Sequence, residues 1–339
     1  MDRSAGFNLA VPHAALMKGG ASDRLVFETR AWAHLTSYLG QLESLPSPFV
    51  TGAAEWQRAL EAVRAEARRF GSPAQARQWG RARPDALMDE TPPPTFYGGL
   101  TWWLARVQAA ATTVTALQGP LSQGRSADEA RQVLRQLGSL AERTRGQMVP
   151  LLDAVKAAKP AMLDAHRELE RACGDAALAL QRLQEQCGGL QARVEELARQ
   201  SAKLGVFRGN KKQQLLHESQ QAQAELTTRQ AEAERLREQL GAIEAILREG
   251  AWLKAAMDDL TEFLETSRAA WSRFGSGLQQ LAVDAAQDQL TDKAWMAKAL
   301  ELPDAAAQWE SLGRAARAFS LTALSDDASQ HLTRMEDAR

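Results

Sequence analysis

Residues 203–212, KLGVFRGNKK, combine an apolar cluster with a concentration of positive charge near the middle of the chain. The stretch from Leu197 to His217 contains no acidic residue and carries five basic ones: Arg199, Lys203, Arg208, Lys211 and Lys212. A basic side chain near an anionic lipid surface contributes about 1 kcal/mol, and burial of a residue such as Phe207 contributes roughly 1.5–3 kcal/mol. This chemistry suits reversible contact with a membrane or a partner, and the candidate contact residues are Leu204, Val206, Phe207, Arg208, Lys211 and Lys212. A plain turn in which Leu204 and Phe207 cap the end of a helix pair fits the same residues.

Residue types that could do catalytic or metal chemistry occur elsewhere, but their spacing does not bring them together. The five histidines are scattered and form no paired-histidine zinc motif: His13, His34, His166, His217 and His331. Adjacent carboxylates such as Glu195 and Glu196 do not face one another on a helix and are typical of a solvated surface. No glycine-rich phosphate-binding loop follows a strand. We therefore predict no catalytic residue, no cofactor and no metal site, and a protein that is not an enzyme.

The charge balance argues against nucleic acid as a ligand. The chain of 339 residues has 41 lysines and arginines against 42 acidic residues, so no overall excess of positive charge is available to neutralise phosphates. An arginine-rich run between residues 64 and 83 contains one tryptophan and lacks the aromatic interleaving of nucleic-acid binders. Surface solubility or intramolecular ion pairing explains this run.

The composition indicates a soluble protein built from long helices. Aromatic residues make up only 6% of the chain, while Ala, Leu, Gln, Glu and Arg dominate. We find no secretory signal at the start and no uncharged apolar stretch long enough for an ordinary transmembrane helix. The segment 98–121 comes nearest, and Arg106 within it favours an amphipathic core helix instead. We expect a chain released without a classical signal peptide, or alternatively a cytoplasmic one.

A heptad pattern in the centre predicts a first coiled-coil arm over residues 161–203. Apolar residues recur at alternating steps of four and three for about five heptads, which is the 3.5-residue period of a coiled-coil seam. The seam residues are Leu169, Cys173, Ala176, Leu180, Leu183, Cys187, Leu190, Val194 and Leu197. Both cysteines lie on this seam roughly 21 Å apart by helix rise, so we interpret them as small buried apolar residues.

A second arm follows the basic stretch. Its apolar residues again keep steps that sum to seven: Leu215, Ala222, Leu226, Ala233, Leu236, Leu240, Ile243 and Leu247. Two heptad arms joined by a short glycine-containing turn predict an antiparallel helical hairpin with its tip at 204–210. We expect the second arm to continue to Phe274, with Gly241 and Gly250 as weak points.

The tryptophans indicate where the thicker core lies. All nine lie outside residues 104–251, and large aromatic side chains favour cores built from several elements. We therefore predict an all-α fold, an elongated helical bundle from which a long antiparallel coiled-coil hairpin projects. The predicted parts are N-terminal bundle helices in 1–158, the hairpin in 159–275 and returning C-terminal helices in 276–339. Pro160 marks a break before the first arm, and SADE at residues 126–129 predicts a helix start with a capping box.

This architecture resembles the cytolysin A superfamily of bacterial α-pore-forming toxins, over most of residues 24–324. The most similar segments are LGVFRGNKK at the tip and AAAQWESLGRAARAFS in the closing helix. Within the superfamily, the chain is most similar to a B-like component of the xenorhabdolysin-type two-part cytotoxins. Many relatives carry a long hydrophobic tongue, whereas this chain has only a few apolar tip residues.

The resemblance implies a soluble toxin subunit that is monomeric in solution and converts to an oligomeric ring on target-cell membranes. It also implies a second component, a larger helical protein, that does part of the membrane work. The alternative hypothesis is a non-enzymatic cytoplasmic scaffold or adaptor whose hairpin tip docks in a groove of another protein. Dependence of binding on anionic lipid and on salt distinguishes the two hypotheses.

Overall fold

The computed structural model describes residues 11–17, 25–26, 29–45, 55–71, 95–122, 126–204 and 209–322. Within these ranges the chain forms helices, and the β-structure is a single isolated bridge between Met17 and Leu25. The helices are α1 Val11–Leu16, α2 Arg30–Ser44, α3 Glu55–Phe70, α4 Phe96–Ser122, α5 Ala127–Lys203, α6 Gly209–Gly250, α7 Leu253–Asp284, α8 Gln287–Thr291, α9 Lys293–Ala299 and α10 Leu302–Thr322. The predicted all-α fold is confirmed.

The chain divides into two compact units, which we treat separately. The first unit comprises residues 1–47, 64–163 and 249–339, and the second comprises residues 48–63 and 164–248. The helices α3, α5 and α6 therefore each contribute residues to both units. The second unit contains residues 164–203 of the first predicted arm and the second predicted arm as far as residue 248.

An aromatic core joins N-terminal and C-terminal helices in the first unit. Trp32 of α2 lies 5.3 Å from Tyr97 of α4 and 5.7 Å from Phe319 of α10, measured between ring centroids. Trp271 of α7 lies 5.8 Å from Trp309 of α10. The first ten residues of α4 are buried on every side, which places this helix at the centre of the unit. Helices from the N-terminal and C-terminal parts of the chain therefore share one aromatic core.

The helices α5 and α7 approach closely where two glycines face each other. A Cβ atom built on Gly275 would lie 3.3 Å from Ala141 Cβ and 3.6 Å from the carbonyl oxygen of Gly138. A Cβ atom on Gly138 would lie 3.6 Å from the carbonyl oxygen of Gly275. Each glycine therefore allows the backbone of the opposite helix to come near, and a larger residue at either position requires the helices to separate.

We expect Gly275→Ala to lower the melting temperature of the first unit, because overpacking at a helix crossing costs about 1–3 kcal/mol. Gly146→Ala is the matched control, since Gly146 lies on α5 with open space around its Cβ position. That control should raise helix stability by up to about 1 kcal/mol. Circular-dichroism melts of both variants check the pair, and an equal shift in the two variants would contradict the close approach.

The proline at position 160 does not interrupt the first arm, and the predicted break there is wrong. The helix α5 runs without interruption for 77 residues through both Pro150 and Pro160. Both prolines are exposed, and so are the residues four positions earlier, Gly146 and Lys156. The carbonyl oxygens that lose a helical N–H partner therefore face solvent, which satisfies them and keeps the rings away from neighbouring helices.

The second arm ends earlier than predicted. We expected it to continue to Phe274, but α6 ends at Gly250 and α7 begins at Leu253. Gly241, the other predicted weak point, lies within α6 without interrupting it. The break at residues 251–252 thus directly follows Gly250, which is one of the two predicted weak points.

Side-chain capping is present at the starts of α5 and α9. The N–H of Ser126 donates to Glu129 Oε2 at 3.2 Å, and the N–H of Glu129 donates to Ser126 Oγ at 3.3 Å. The predicted capping box at the start of α5 is thus confirmed. Asp292 is the N-cap of α9, because its side chain accepts hydrogen bonds from the N–H groups of Ala294 and Trp295.

Candidate functional site

The predicted contact site lies at the connection between α5 and α6. The first helix ends at Lys203 and the second begins at Gly209, so five residues join them. Leu204 is half-buried, and its N–H donates to the carbonyl oxygen of Ser201 at 3.4 Å. Val206, Phe207 and Arg208 lie outside the described residues. The tip therefore stays a prediction in its central part.

The basic residues on either side of the connection are accessible. Lys203, Lys211 and Lys212 are all exposed. Arg199 is exposed as well, and its Nη2 lies 3.5 Å from Glu196 Oε2. An exposed cluster of lysines at the end of a helix pair offers positive charge to an anionic surface.

The seam residues of the first arm are less accessible than the residues between them. Leu169 is fully buried, Cys173 is 6% exposed and Leu197 is 7% exposed. Ala176 is 8% exposed, and the remaining predicted seam residues are half-buried: Leu180, Leu183, Cys187, Leu190 and Val194. Between Leu169 and Leu197 every residue off the seam except Ala172 is exposed, and Leu178 is 53% exposed. One stripe of the helix is therefore covered along the whole arm.

The second arm shows the same alternation. Ala222, Leu226, Ala233 and Ile243 are buried, and Leu215, Leu236, Leu240 and Leu247 are half-buried. Charged residues between them are exposed and pair along the helix, as in the ion pair between Arg237 and Glu234 at 2.5 Å. Such exposed pairs contribute a few tenths of a kcal/mol each. Stability of the second unit therefore depends mainly on the covered stripe.

Burial extends beyond the two predicted stripes at one end of the arms. Ala172 and Ile246 are 6% and 1% exposed, although neither belongs to the heptad series. The second unit also contains the first half of α3, where Trp56, Leu60 and Val63 are buried. Trp56 therefore lies in the unit that contains the arms, and the prediction that the tryptophans share the main bundle is wrong for this one. Its spacing of four and three residues to Leu60 and Val63 is the signal that a third helix takes part.

Burial shifts the pKa values of two ionisable groups in the first arm, His166 and Cys173. Burial lowers the pKa of His166, while the nearby carboxylate of Glu170 opposes that shift. Burial raises the pKa of the Cys173 thiol to about 11. The thiol therefore stays protonated near neutral pH, which suits a packing residue and not a nucleophile or a metal ligand.

The buried histidine predicts a pH dependence of the second unit. An unfolded histidine binds a proton near pH 6.5, whereas folded His166 stays neutral to lower pH, so acidification favours unfolding. The histidine's contribution is constant above its unfolded pKa and is lost as the pH falls below about 6.5, with a slope of at most about 1.4 kcal/mol per pH unit. We expect hydrogen exchange of residues 164–176, corrected for intrinsic rates, to accelerate between pH 7.5 and pH 5, and His166→Gln to remove most of that change.

The control for this prediction is His217→Gln, because His217 is exposed on α6. It should leave the pH profile of the arms as in the native chain. An identical profile in the native chain and in His166→Gln would show that carboxylates, and not His166, govern the acid response.

The described residues contain no group of three or more His, Cys, Asp and Glu placed to hold a metal ion. Among the described helices, none combines the length and the apolar character needed to cross a bilayer. A groove of about 500 Å³ lies between α4 and α10, with Ala111 and Gly313 among the residues that line it. Thr112 and Thr115 on its wall donate their hydroxyl hydrogen bonds to carbonyl oxygens of their own helix. The lining of this groove combines small side chains with Trp309, Glu310, Arg314 and Arg317.

No protein-family model matches the sequence, and no curated protein matches it in sequence. Solved structures do match. The soluble AhlC of the tripartite α-pore forming toxin AHL from Aeromonas hydrophila is 11% identical, with a TM-score of 0.51, and the alignment covers 87% of this chain and 97% of AhlC. A triple head mutant of soluble AhlC aligns over 86% of this chain and 98% of its own length, at 10% identity and a TM-score of 0.52.

Soluble SmhA of the tripartite α-pore forming toxin Smh from Serratia marcescens also aligns, over 97% of this chain and 96% of SmhA, at 11% identity and a TM-score of 0.46. The likeness to AhlC extends over nearly the full length of both chains. The chain therefore shares the fold of soluble AhlC, and the resemblance inferred from the sequence is confirmed at the level of fold.

Proposed function

We propose that the chain is the soluble form of one component of a multi-component α-pore-forming toxin. The observation that carries the proposal is the fold shared with soluble AhlC, a component of a tripartite toxin, over 97% of the AhlC chain. The role is non-enzymatic, without a cofactor and without a nucleic-acid ligand. The chain acts at the membrane of a target cell after its release.

The proposed membrane contact is the connection between α5 and α6. Lys203, Lys211 and Lys212 are exposed there, and each contributes about 1 kcal/mol near anionic lipid. Leu204, Val206, Phe207 and Arg208 complete the proposed contact surface. This energy gives weak binding per molecule, so oligomerisation of a solution monomer on the membrane supplies the avidity.

A second toxin component completes the pore in this proposal. The few apolar residues of the tip cannot line a path across a hydrocarbon core about 30 Å thick. The sequence resemblance implies one partner, and AHL, being tripartite, implies two for AhlC. We propose a partner that is a helical protein and supplies the bilayer-crossing surface.

Liposome flotation and dye release test the proposal. The probes are vesicles of phosphatidylcholine alone and vesicles that also contain phosphatidylserine, with the chain alone and with the helical proteins encoded by neighbouring reading frames. We expect salt-sensitive flotation with phosphatidylserine, no release by the chain alone, and release with a partner. Flotation and release that are absent from every combination would refute the toxin function. Tip-dependent capture of one soluble protein, unaffected by lipid, would establish the scaffold alternative.

A further inference from the structure

The interruption between α6 and α7 directly follows Gly250, the one residue of this segment with a low helix preference. Residues 245–257, AILREGAWLKAAM, contain no proline, and apart from Gly250 they consist of residues that tolerate a helix interior well. Trp252 occupies the N-cap position of α7, yet its side chain makes no capping hydrogen bond. Natural helix starts are usually specified by Ser, Thr, Asp or Asn. The chain therefore carries one local stop signal for α6, Gly250, and no clear start for α7.

The backbone at the interruption lies close to a helical conformation. Trp252 has φ −92° and ψ −6°, so a rotation of a few tens of degrees in ψ would bring it to α-helical values. Its N–H already donates to the carbonyl oxygen of Glu249 at 3.1 Å, a 3₁₀-type bond, and its own carbonyl oxygen accepts from Ala256. Joining the two helices requires a small local change and no refolding.

Contacts from α2 hold the interruption in place. The His34 ring stacks on Trp252 with 4.7 Å between the ring centroids and an interplanar angle of 8°. His34 Nδ1 donates to Glu249 Oε2 at 2.6 Å, since a carboxylate can only accept. The guanidinium of Arg30 lies 5.3 Å from the centroid of the Trp252 ring. His34 and Arg30, which lie about one turn apart on α2, thus contact Glu249 before the break and Trp252 within it.

A fourth contact joins α2 to α7 within the first unit. Thr29, the N-cap of α2, accepts from the N–H of Trp32 and donates its hydroxyl to Asp259 Oδ2 at 2.8 Å. The start of α2 is therefore anchored to the second turn of α7, which sets the position of His34 one turn further along α2. We call His34, Glu249, Trp252 and Arg30 the α2 latch.

We propose that the α2 latch imposes the break between α6 and α7, and that its release joins them into one helix from Gly209 to Asp284. The apolar series of α6 ends at Leu247, and its steps of three and four next fall on Gly250 and Lys254. The proposal therefore rests on the contacts of the α2 latch and on the near-helical backbone of Trp252. The latched and joined forms are two discrete arrangements of one element, which is what a conformational switch requires. That the switch accompanies conversion from the soluble to the membrane-bound form rests on the function proposed above.

Hydrogen exchange on the purified chain, without lipid or partner, tests the latch. His34→Ala removes the ion pair and the stacking, and Trp252→Ala removes the stacking and the cation–π contact. In a joined helix the N–H groups of Leu253 and Lys254 gain carbonyl partners at Glu249 and Gly250, so their exchange should slow by about tenfold in both variants. Lys156→Ala is the control, because it removes the ion pair of 2.6 Å between Lys156 and Glu265 of α7 and leaves the break untouched.

Whether hydrogen exchange at Leu253 and Lys254 slows or accelerates decides between a latch and a simple packing contact. A latch that is only a packing contact would give unchanged or faster exchange at Leu253 and Lys254 in both variants, and that result would overturn the proposal. Slower exchange in Lys156→Ala as well would also overturn it, because the effect would then not be specific to the α2 latch.

A proline variant separates the latch from the proposed function. Lys254→Pro places proline in the first turn of α7, where the broken form tolerates it and the joined helix does not. Lys254→Ala is its control, since both variants lose the pair with Asp258. We expect Lys254→Pro to abolish partner-dependent dye release and Lys254→Ala to retain it. Equal release by the two would overturn the role in conversion. Absence of release with the native chain would refute the toxin function while the exchange result still decides the latch.

Discussion

Replacing Phe207 by Asp should reduce binding to phosphatidylserine vesicles to background while leaving the soluble fold intact. The change removes an apolar anchor worth roughly 1.5–3 kcal/mol and adds repulsion from anionic headgroups, so the loss of affinity should exceed about tenfold. Phe207→Leu keeps an apolar anchor and should retain binding. Flotation measures the binding, and circular-dichroism melts of each variant monitor the fold.

The control for the loss of an apolar residue is Val283→Asp, because Val283 is 73% exposed on α7 in the first unit. It should bind as the native chain does. If Phe207→Asp also bound and, with partners, lysed as the native chain does, the connection would be only a turn. The membrane role would then need another segment, such as 98–121, or would give way to the scaffold alternative.

Charge reversal at the tip should weaken membrane binding through lost electrostatic attraction, and not through lost apolar burial. Lys211→Glu with Lys212→Glu should weaken binding to phosphatidylserine vesicles and flatten its dependence on salt, with less effect on neutral vesicles. Arg135→Glu with Arg143→Glu makes the same change in net charge on exposed residues of α5 in the first unit. That pair should bind normally. Equal losses in the two double variants would mean that net charge, and not the tip, governs binding.

The features that the sequence predicts well are those with a local cause. The covered stripe of each arm follows from steps of three and four between apolar residues, because a helix of known period places them on one side. The capping box at Ser126 depends on two residues three positions apart, and it is present. Such features need no knowledge of the rest of the fold.

The features that the sequence misses depend on distant parts of the chain. Burial of Ala172 and Ile246 goes with the presence of residues 55–63 in the same compact unit, more than a hundred residues away from either. No property of the arms themselves reports that third helix. The continuity of α5 through Pro160 likewise depends on which side of the helix faces solvent.

The contacts at the break at residues 251–252 belong to the same class. They come from His34 and Arg30, which precede the break by more than two hundred residues. The local sequence indicates the weak point at Gly250, where the break occurs. It does not indicate the contacts that His34 and Arg30 make with residues 249 and 252, because those contacts depend on how α2 packs.

The covered stripes predict the second large effect, a collapse of the second unit when a charge enters the seam. Leu169 is fully buried, so Leu169→Asp places an unpaired carboxylate among apolar side chains and should cost more than about 3 kcal/mol. Leu183→Asp and Leu190→Asp should cost less, because both residues are half-buried. Urea unfolding and hydrogen exchange of residues 164–204 and 209–248 measure the loss.

Leu178→Asp makes the same chemical change on the same helix at a residue that is 53% exposed. It should alter stability by about 0.5 kcal/mol or less, as should Glu234→Gln on the solvated side of α6. The ranking Leu169, then Leu183, then Leu178 follows from burial alone, since the substituted groups are identical. A larger loss for Leu178→Asp than for Leu183→Asp would show that the arms associate through the opposite side of the helix, and the assigned register would have to be abandoned.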